Sequence, residues 1–370
     1  MNLSLKRVLI IFLIFTIVTC CLPFLLTRNG FIDFRETGQI GDTIGGIMGP
    51  FIAIAAAFLT FIAFWVQYKA NLKQREDIAV ERIESKYYKM LDIYLQMTNQ
   101  LEVHGLKGKK AFTELVGEFT FIFYSTCDVY ESLVKNEQYM EDLNEEQKNL
   151  FALFKGNVIE KYEFLTVLAY NLFFYGKKYM LYDTNEKTKL SEDIKRQLFT
   201  IKMSYSGVTY ADYVKGRSHN TEHLYRCYHA NLFDGHSDFL GQYFRHLYQT
   251  VKFIASLNAD IVSEEQKYSY LKLLRSQMSD YEQILLYYNS LTKQGSAWNK
   301  ENSGSFPQSR GYIVRYKLIK NIPINFPFLG IDPFYKYKSD NEKWKKMGKS
   351  MFEHSALQIS TSSVTSQVSV

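Results

Sequence analysis

The N-terminal part of the chain has the apolar and polar segments typical of membrane helices. Two apolar runs, residues 8–26 and 44–66, are separated by a short polar connection. Each run is close to the roughly 20 residues that an α-helix needs to cross a hydrocarbon core of about 30 Å. The pattern predicts a transmembrane hairpin of two helices within residues 1–66. A cleaved signal peptide is the alternative for the first run, although no A-x-A cleavage site follows it.

Small residues recur at every fourth position through the second run. Side chains four apart stack on one face of a helix, so this row forms a groove that lets another transmembrane helix approach closely. We therefore expect the chain to form a homo-oligomer through helix packing. A phosphate-binding loop is not indicated, because the Lys-Ser/Thr pair of a P-loop is missing. The row consists of Gly41, Gly45, Gly49, Ala53 and Ala57.

Basic residues flank both outer ends of the hairpin. Lys6 and Arg7 precede the first run, and Lys69, Lys73 and Arg75 follow the second. Because cytoplasmic flanks of membrane helices are enriched in Lys and Arg, we expect both chain termini in the cytoplasm. The lipid bilayer is then the first predicted partner.

The apolar pattern changes to a heptad-like seam over residues 67–104, which predicts a helix that continues directly from the membrane. A seam of three repeats is more typical of a core helix than of a free-standing coiled coil, which is the alternative. The spacings alternate between three and four along Val80, Ile83, Tyr87, Met90, Tyr94, Met97 and Leu101.

The remaining chain predicts a fold that is mainly α. We expect a helical cytoplasmic domain over residues 105–295, a basic and aromatic C-terminal segment over 296–349, and a disordered tail over 350–370. Ser263-Glu-Glu-Gln266 has the pattern of a capping box, which marks a helix start. Periodic apolar residues predict helices at 111–134, 145–174, 191–203, 239–256 and 263–291.

Positive charge is concentrated near the C-terminus. Residues 300–350 contain 11 Lys and Arg against 4 Asp and Glu, while the whole chain has a formal net charge of +6. Cations interleaved with aromatic rings are typical of contacts with single-stranded nucleic acid or with anionic membranes. The alternative is an ordinary lysine-rich surface whose rings pack inside.

Histidines suggest two kinds of chemistry. Arg217-Ser-His-Asn-Thr-Glu-His223 resembles the Arg-x4–6-His motif of HEPN ribonucleases. The resemblance would make His223 a general acid or base on a ribose 2′-hydroxyl and Arg217 a phosphate stabiliser. The motif is short and frequent by chance, and the residues around it look like a loop.

A metal site is the other reading of the histidine-rich region. His229, Asp234, His236 and Asp238 offer suitable ligand types within ten residues. Spacing alone does not bring their donors to one point, and no second segment completes the shell. We therefore predict neither a metal nor a cofactor.

Polar residues also interrupt the apolar faces of two predicted helices. A buried Arg or Glu needs a partner, so we expect Glu282 to pair with Arg245 or Arg275 between helices. We predict that eight polar residues of this region form a structural or functional network. Its members are His236, Tyr243, Arg245, His246, Arg275, Gln277, Glu282 and Asn289.

Four blocks of the sequence resemble, in the same order, the putative phage abortive infection family of the AbiC type, over about residues 38–330. The resemblance implies bacterial antiphage defence by a membrane-anchored protein, and so a place in the inner membrane; it supplies no catalytic residues. The two C-terminal blocks are the strongest. The blocks are Gly41-Asp-Thr-Ile-Gly-Gly-Ile-Met-Gly-Pro50, Glu84-Ser-Lys-Tyr-Tyr-Lys-Met-Leu91, Gly241 to Ile254 and Leu274 to Asn289.

Two functions follow as hypotheses. The first is a membrane-anchored defence effector or sensor that acts by recognition and oligomerisation, with a phage protein as trigger and nucleic acid as a candidate partner of the basic segment. The second is a HEPN-like ribonuclease toxin that uses Arg217 and His223. Whether the protein is an enzyme stays open at this point.

Overall fold

The computed structural model describes residues 40–176, 178–179, 189–204 and 234–353, with isolated residues between 10 and 24. The chain divides into two compact units, residues 1–82 and 83–370. The described residues are mainly helical, as the sequence predicts. The first expected span, residues 8–26, lies largely outside the described residues.

Helix α1, Ile40–Gln100, contains the second apolar run and continues into the heptad-like seam. Among the described residues it is the one helix long and apolar enough to cross a membrane: its most apolar window has a mean hydropathy of 2.1 and is 0% buried. Pro50 lies within the helix. By length and composition, α1 is therefore a candidate membrane span.

The second unit begins with the part of α1 that carries the seam. Tyr87 and Tyr94 are buried, and Met90 and Met97 are half-buried. This part of α1 is therefore a core helix of the unit. A free-standing coiled coil, the alternative for this seam, stays a prediction.

A short β-hairpin follows α1 where the sequence indicates only a loop. Strands β1, Glu102–Val103, and β2, Leu106–Lys107, pair antiparallel, with Glu102 opposite Lys107. His104 and Gly105 connect them with φ values of 50° and 79°. Two positive φ angles are what a two-residue hairpin turn requires, and glycine adopts them without strain.

Helix α2, Lys109–Lys135, is the centre of the second unit and packs against three helices that follow it in the chain: α5 (Val158–Tyr175), α6 (Lys189–Ser204) and α9 (Asp280–Leu291). Its Phe119 ring lies 5.5 Å from Tyr170 and 4.7 Å from Tyr288, measured between ring centroids. Aromatic pairs of this kind add stability beyond the buried area. The other helices are α3 Glu137–Glu141, α4 Glu145–Gly156, α5 Val158–Tyr175, α6 Lys189–Ser204, α7 Ser237–Ala255, α8 Glu264–Gln277 and α9 Asp280–Leu291.

Two helices predicted as continuous are each two helices in the structure. The 145–174 stretch breaks at Asn157, whose side chain accepts bonds from the backbone N–H groups of Ile159 and Glu160 and so caps α5. The 263–291 stretch breaks at Met278, and Ser279 caps α9. Both breaks arise because Asn and Ser side chains compete well for the free N–H groups of a helix start.

The C-terminal segment packs onto these helices. Tyr287 of α9 donates to the carbonyl of Ile331 (2.7 Å), and the backbone N–H of Leu329 donates to Tyr288 (2.7 Å). Half of the segment's aromatic rings are buried and all but one of the others are half-buried, while its lysines are mainly exposed. Its elements are a 3₁₀ helix Ser296–Asn299 and helices α10 Tyr312–Tyr316, α11 Pro333–Lys336 and α12 Lys338–Lys346.

Candidate functional site

Glu282 lies in the first turn of α9, and the local sequence explains its position. Ser279-Asp-Tyr-Glu282 forms a capping box. The Ser279 hydroxyl accepts from the backbone N–H of Glu282 (3.3 Å), and Glu282 Oε2 accepts from the backbone N–H of Ser279 (2.6 Å). These bonds satisfy two N–H groups that a helix start leaves without partners. One carboxylate oxygen is thus fixed by α9 itself.

The other carboxylate oxygen joins α9 to two further helices. Glu282 Oε1 accepts hydrogen bonds from the hydroxyls of Tyr94 (2.8 Å) and Tyr243 (2.9 Å), and a longer one from Thr98 (3.4 Å). Tyr94 and Thr98 stand one turn apart on α1, and Tyr243 is on α7. Glu282 is 0% exposed. One buried carboxylate therefore ties α1, α7 and α9 together.

Only neutral groups donate to this carboxylate. In the part of the chain that the structure describes, no Lys, Arg or His forms an ion pair with Glu282. Burial, and after it the charge of Glu282, raise the pKa values of Tyr94 and Tyr243. Both phenols therefore stay protonated and keep donating at physiological pH. A hydrogen bond to a charged group contributes about 1.5–3 kcal/mol.

A second buried carboxylate, Glu118 of α2, meets His236 just before α7. His236 Nε2 lies 2.8 Å from Glu118 Oε2, and the His236 backbone N–H donates to the Phe174 carbonyl (2.8 Å). Gly235 has φ of +81°, and a Cβ atom there would lie 2.5 Å from the Tyr175 carbonyl carbon. The turn at 235–236 can therefore sit against the end of α5 only with glycine at this position.

The other polar residues of α7 do not join the Glu282 group. His246 Nε2 lies 2.8 Å from the Met90 carbonyl oxygen. Because a carbonyl can only accept, this nitrogen carries the proton. Arg245 is exposed. The expected pairing of Arg245 with Glu282 is therefore wrong: the arginine points to solvent, and tyrosines take its place.

Arg275 is buried as expected, but its partners are backbone carbonyls. Its Nη1 donates to the carbonyl oxygens of Tyr316 (3.3 Å) and Lys317 (3.0 Å) at the end of α10. The expected pairing of Arg275 with Glu282 is therefore also wrong. The break in the predicted helix explains this, because Arg275 belongs to α8 and Glu282 to α9.

The remaining network residues lie apart from one another. Gln277 is half-buried at the end of α8, and Asn289 is buried on α9. The Asn289 carbonyl accepts from the Thr292 hydroxyl (2.7 Å). The structure thus joins Tyr243 with Glu282, pairs His236 with Glu118, and places His246, Arg275, Gln277 and Asn289 elsewhere.

The candidate catalytic pair and part of the metal reading lie outside the described residues. They are Arg217, His223 and His229. Within the described ranges, no group of three or more His, Cys, Asp or Glu side chains is arranged to hold a metal ion.

The small-residue row lies in α1. Gly45, Gly49, Ala53 and Ala57 are exposed in the chain, and Gly41 belongs to the same helix. A Cβ atom added at Gly45 or Gly49 would meet nothing within 4 Å. Among the residues that the structure describes, no atom therefore requires glycine at these two positions.

The Glu282 group is suited to holding helices together rather than to reacting with a substrate. Glu282 has no exposed surface, and both of its oxygens already accept hydrogen bonds. A carboxylate in this state has no lone pair directed at solvent. Tyr94 and Thr98 reach the group from α1.

Sequence reasoning missed the partners of both buried acids. Tyr94 and Glu282 stand 188 positions apart, and no spacing rule connects them. One signal was readable: Ser279-x-x-Glu282 is a capping-box pattern, which places Glu282 at a helix start rather than in the middle of a helix. Glu118 carried no such signal, because it lies inside a long periodic helix.

Comparison with known proteins finds a family match for the segment that contains Tyr243 and Glu282. No curated protein and no solved structure matches the chain. Residues 235–327 match the family model described as putative phage abortive infection protein. This segment runs from the turn at His236 through α7, α8 and α9, and so includes Tyr243 and Glu282. Over residues 235–327, the resemblance to the putative phage abortive infection family is confirmed.

Proposed function

We propose that the protein is a membrane-anchored antiphage effector or sensor that acts through recognition and oligomerisation. The family match indicates antiphage defence. The anchor, the two spans and the inner-membrane location belong to the proposal. The observation that carries it is the exposed apolar part of α1, in contrast to the long helices α2, α5 and α7, which bury apolar side chains.

The exposed apolar residues of α1 support insertion into lipid. Phe61 and Phe64 are 65% and 66% exposed, and Phe58 and Trp65 are each 42% exposed. Soluble monomers rarely expose a continuous apolar surface of this length. Lys69 Nζ lies 4.3 Å from the Trp65 ring centroid, and an aromatic ring beside a lysine is typical of a membrane interface.

Helix α1 also supplies the proposed link from the anchor to the family segment. After the apolar window, the same helix carries Tyr87, which donates to the Tyr270 carbonyl (2.6 Å), and Tyr94, which donates to Glu282 (2.8 Å). A shift or rotation of α1 would break these buried hydrogen bonds. We propose that this coupling lets oligomerisation through α1 change the state of the α7–α9 region.

The small-residue row supplies the proposed oligomer contact. Among the described residues, a Cβ atom at Gly45 or Gly49 would meet nothing within 4 Å, so a defect caused by a larger side chain there would come from a second molecule, from lipid or from the first apolar run. This makes the row suited to a test with a matched control, since Gly46 is equally open but lies on a different face of the helix.

The test compares Gly45→Leu and Gly49→Leu with Gly46→Leu in a host challenged with phage. We expect all three proteins to insert, because Leu is more apolar than Gly, and only the first two to lose crosslinked oligomers and plaque protection. Equal protection by all three variants would exclude the oligomer contact.

The ribonuclease alternative enters the same assay. Its support is the sequence motif alone, and it is tested by replacing Arg217 and His223 together with Ala. Full plaque protection by this double variant would exclude the enzyme. Loss of protection with normal protein levels and intact oligomers would favour it over the recognition proposal.

A further inference from the structure

Lys317 combines three unusual properties at one position. It ends α10 in the left-handed region, with φ of 55° and ψ of 46°. Its side chain is buried, with 2% of the residue exposed. Among the described residues, no carboxylate forms an ion pair with it. A left-handed lysine and a buried charge without a counter-charge are both costly, and such costs often mark functional positions.

Aromatic rings and hydrogen bonds from Arg275 of α8 hold Lys317 in place. Its Nζ lies 4.0 Å from the Trp344 ring centroid and 5.6 Å from that of Tyr268. The Arg275 guanidinium donates to the carbonyls of Tyr316 and Lys317 and thereby fixes the left-handed turn. The rings attract the ammonium group, but they cannot neutralise its charge.

The surroundings of Lys317 are positively charged. Burial, and then the charges of Lys320, Lys349 and Arg275, lower the pKa of Lys317 to about 8. The backbone N–H of Lys320 donates to the Lys317 carbonyl (3.1 Å) and that of Lys349 to the Trp344 carbonyl (3.0 Å), so both residues lie beside the contact of Lys317 with Trp344. Lys320 is half-buried and Lys349 is exposed. The Glu353 carboxylate near this turn is bonded to the Asn321 amide. Glu353, whose backbone N–H donates to the Lys320 carbonyl (2.8 Å), supplies one negative charge beside three lysines, so the surroundings keep a net positive charge.

We propose that Lys317, Lys320 and Lys349 form a binding site for a phosphate group, with Trp344 packed beneath the Lys317 ammonium. A phosphate would supply the counter-charge that the protein lacks there and would accept hydrogen bonds from three ammonium groups. Lys317 gives the deep contact, and the two other lysines complete the site toward solvent. The proposal does not depend on membrane anchoring or on oligomerisation.

Single-stranded nucleic acid is less suited to this part of the surface. Binding of that kind uses exposed rings on which bases stack. Trp344, Tyr316, Phe334 and Tyr337 are buried here, and the Lys317 ammonium already lies against the Trp344 ring. The phosphate group could instead belong to a soluble compound or to a lipid headgroup.

The test measures the rise in melting temperature that a ligand causes in the purified full chain in detergent. A ligand that binds only the folded state raises the melting temperature by mass action. Inorganic pyrophosphate, compared with sodium chloride at equal ionic strength, probes soluble phosphate. Mixed micelles containing anionic phosphatidylglycerol, compared with micelles containing zwitterionic phosphatidylcholine, probe binding to an anionic lipid headgroup.

We expect an increase with at least one of the two phosphate probes. Lys317→Met should abolish that increase while keeping or raising the melting temperature without ligand, because it removes an uncompensated buried charge. Lys349→Gln, at an exposed position, should weaken pyrophosphate binding about tenfold or more, the loss expected for one charge-assisted hydrogen bond. Lys338→Met, at an exposed lysine of α12, is the matched control and should leave binding unchanged.

The two probes separate the sources of the phosphate. An increase with pyrophosphate identifies a soluble phosphate compound, and an increase with phosphatidylglycerol alone identifies a lipid headgroup. If neither probe raises the melting temperature, the proposed phosphate site is wrong. Equal losses in Lys317→Met and Lys338→Met would overturn it as well, because the effect would then reflect general surface charge.

Discussion

At the scale of single residues, Glu282 shows how a buried charge is stabilised without a counter-ion. Its two oxygens accept from three hydroxyls and one backbone N–H. Each donor costs little to bury, because its own hydrogen bond is satisfied, and together they replace the water that the carboxylate loses. Removal of one donor leaves the charge less well solvated than before.

Tyr243→Phe should therefore lower the free energy of unfolding by about 1.5–3 kcal/mol, the usual contribution of a hydrogen bond to a charged group. Tyr335→Phe is the control, since Tyr335 is 62% exposed, and it should have almost no effect. The measurement is chemical denaturation of the purified chain. If Tyr243→Phe keeps wild-type stability but loses plaque protection, Glu282 belongs to a working site rather than to a structural tie.

The sequence reveals buried charges more readily than their partners. Arg275 and Glu282 interrupt apolar periodicity, and both are indeed buried. The sequence predicted that Glu282 pairs with Arg245 or Arg275 between helices, because a buried Arg or Glu needs a partner. The actual partners are distant in the chain: Tyr94 for Glu282, and the carbonyls after α10 for Arg275. Such contacts depend on how helices pack, which periodicity does not encode.

At the scale of elements, the apolar pattern predicts where helices lie better than where they break. The predicted helix at 111–134 corresponds closely to α2, and that at 239–256 to α7. The breaks at Asn157 and Ser279 were missed, because a one-residue or two-residue interruption scarcely disturbs the periodicity. At both positions a capping side chain, which is visible in the sequence, determines that a new helix begins there.

The turn before α7 gives a test at this scale. Gly235→Ala should destabilise the protein by more than the roughly 1–3 kcal/mol of backbone strain alone, because the new methyl group would lie 2.5 Å from the Tyr175 backbone. Gly348→Ala is the matched control: its φ is similar, at +69°, but nothing lies within 4 Å. Thermal unfolding of the two variants separates the effect of the steric clash with Tyr175 from the effect of backbone strain at a positive φ angle. Equal losses would mean that the turn does not pack tightly against α5.

At the scale of the whole molecule, the proposed function requires one chain both to anchor in the membrane and to recognise a partner. The apolar window of α1 is exposed, whereas the second unit has an aromatic core with buried acids. Composition predicted both parts. It could not show which polar residues of the second unit meet, nor that Lys317 of the basic segment is buried while most of the segment's other lysines are exposed.

Membrane topology is the prediction that tests the whole arrangement. Basic residues flank both outer ends of the expected hairpin, so the second unit should lie in the cytoplasm. Green fluorescent protein fused at the C-terminal end should fluoresce, and alkaline phosphatase fused there should be inactive. The control is a fusion after Glu36, in the connection between the two apolar runs, where the phosphatase should be active and the fluorescent protein dark. An active phosphatase at the C-terminal end would reverse the orientation. It would also place the phosphate site and the α7–α9 region outside the cell, where an intracellular phage signal could not reach them.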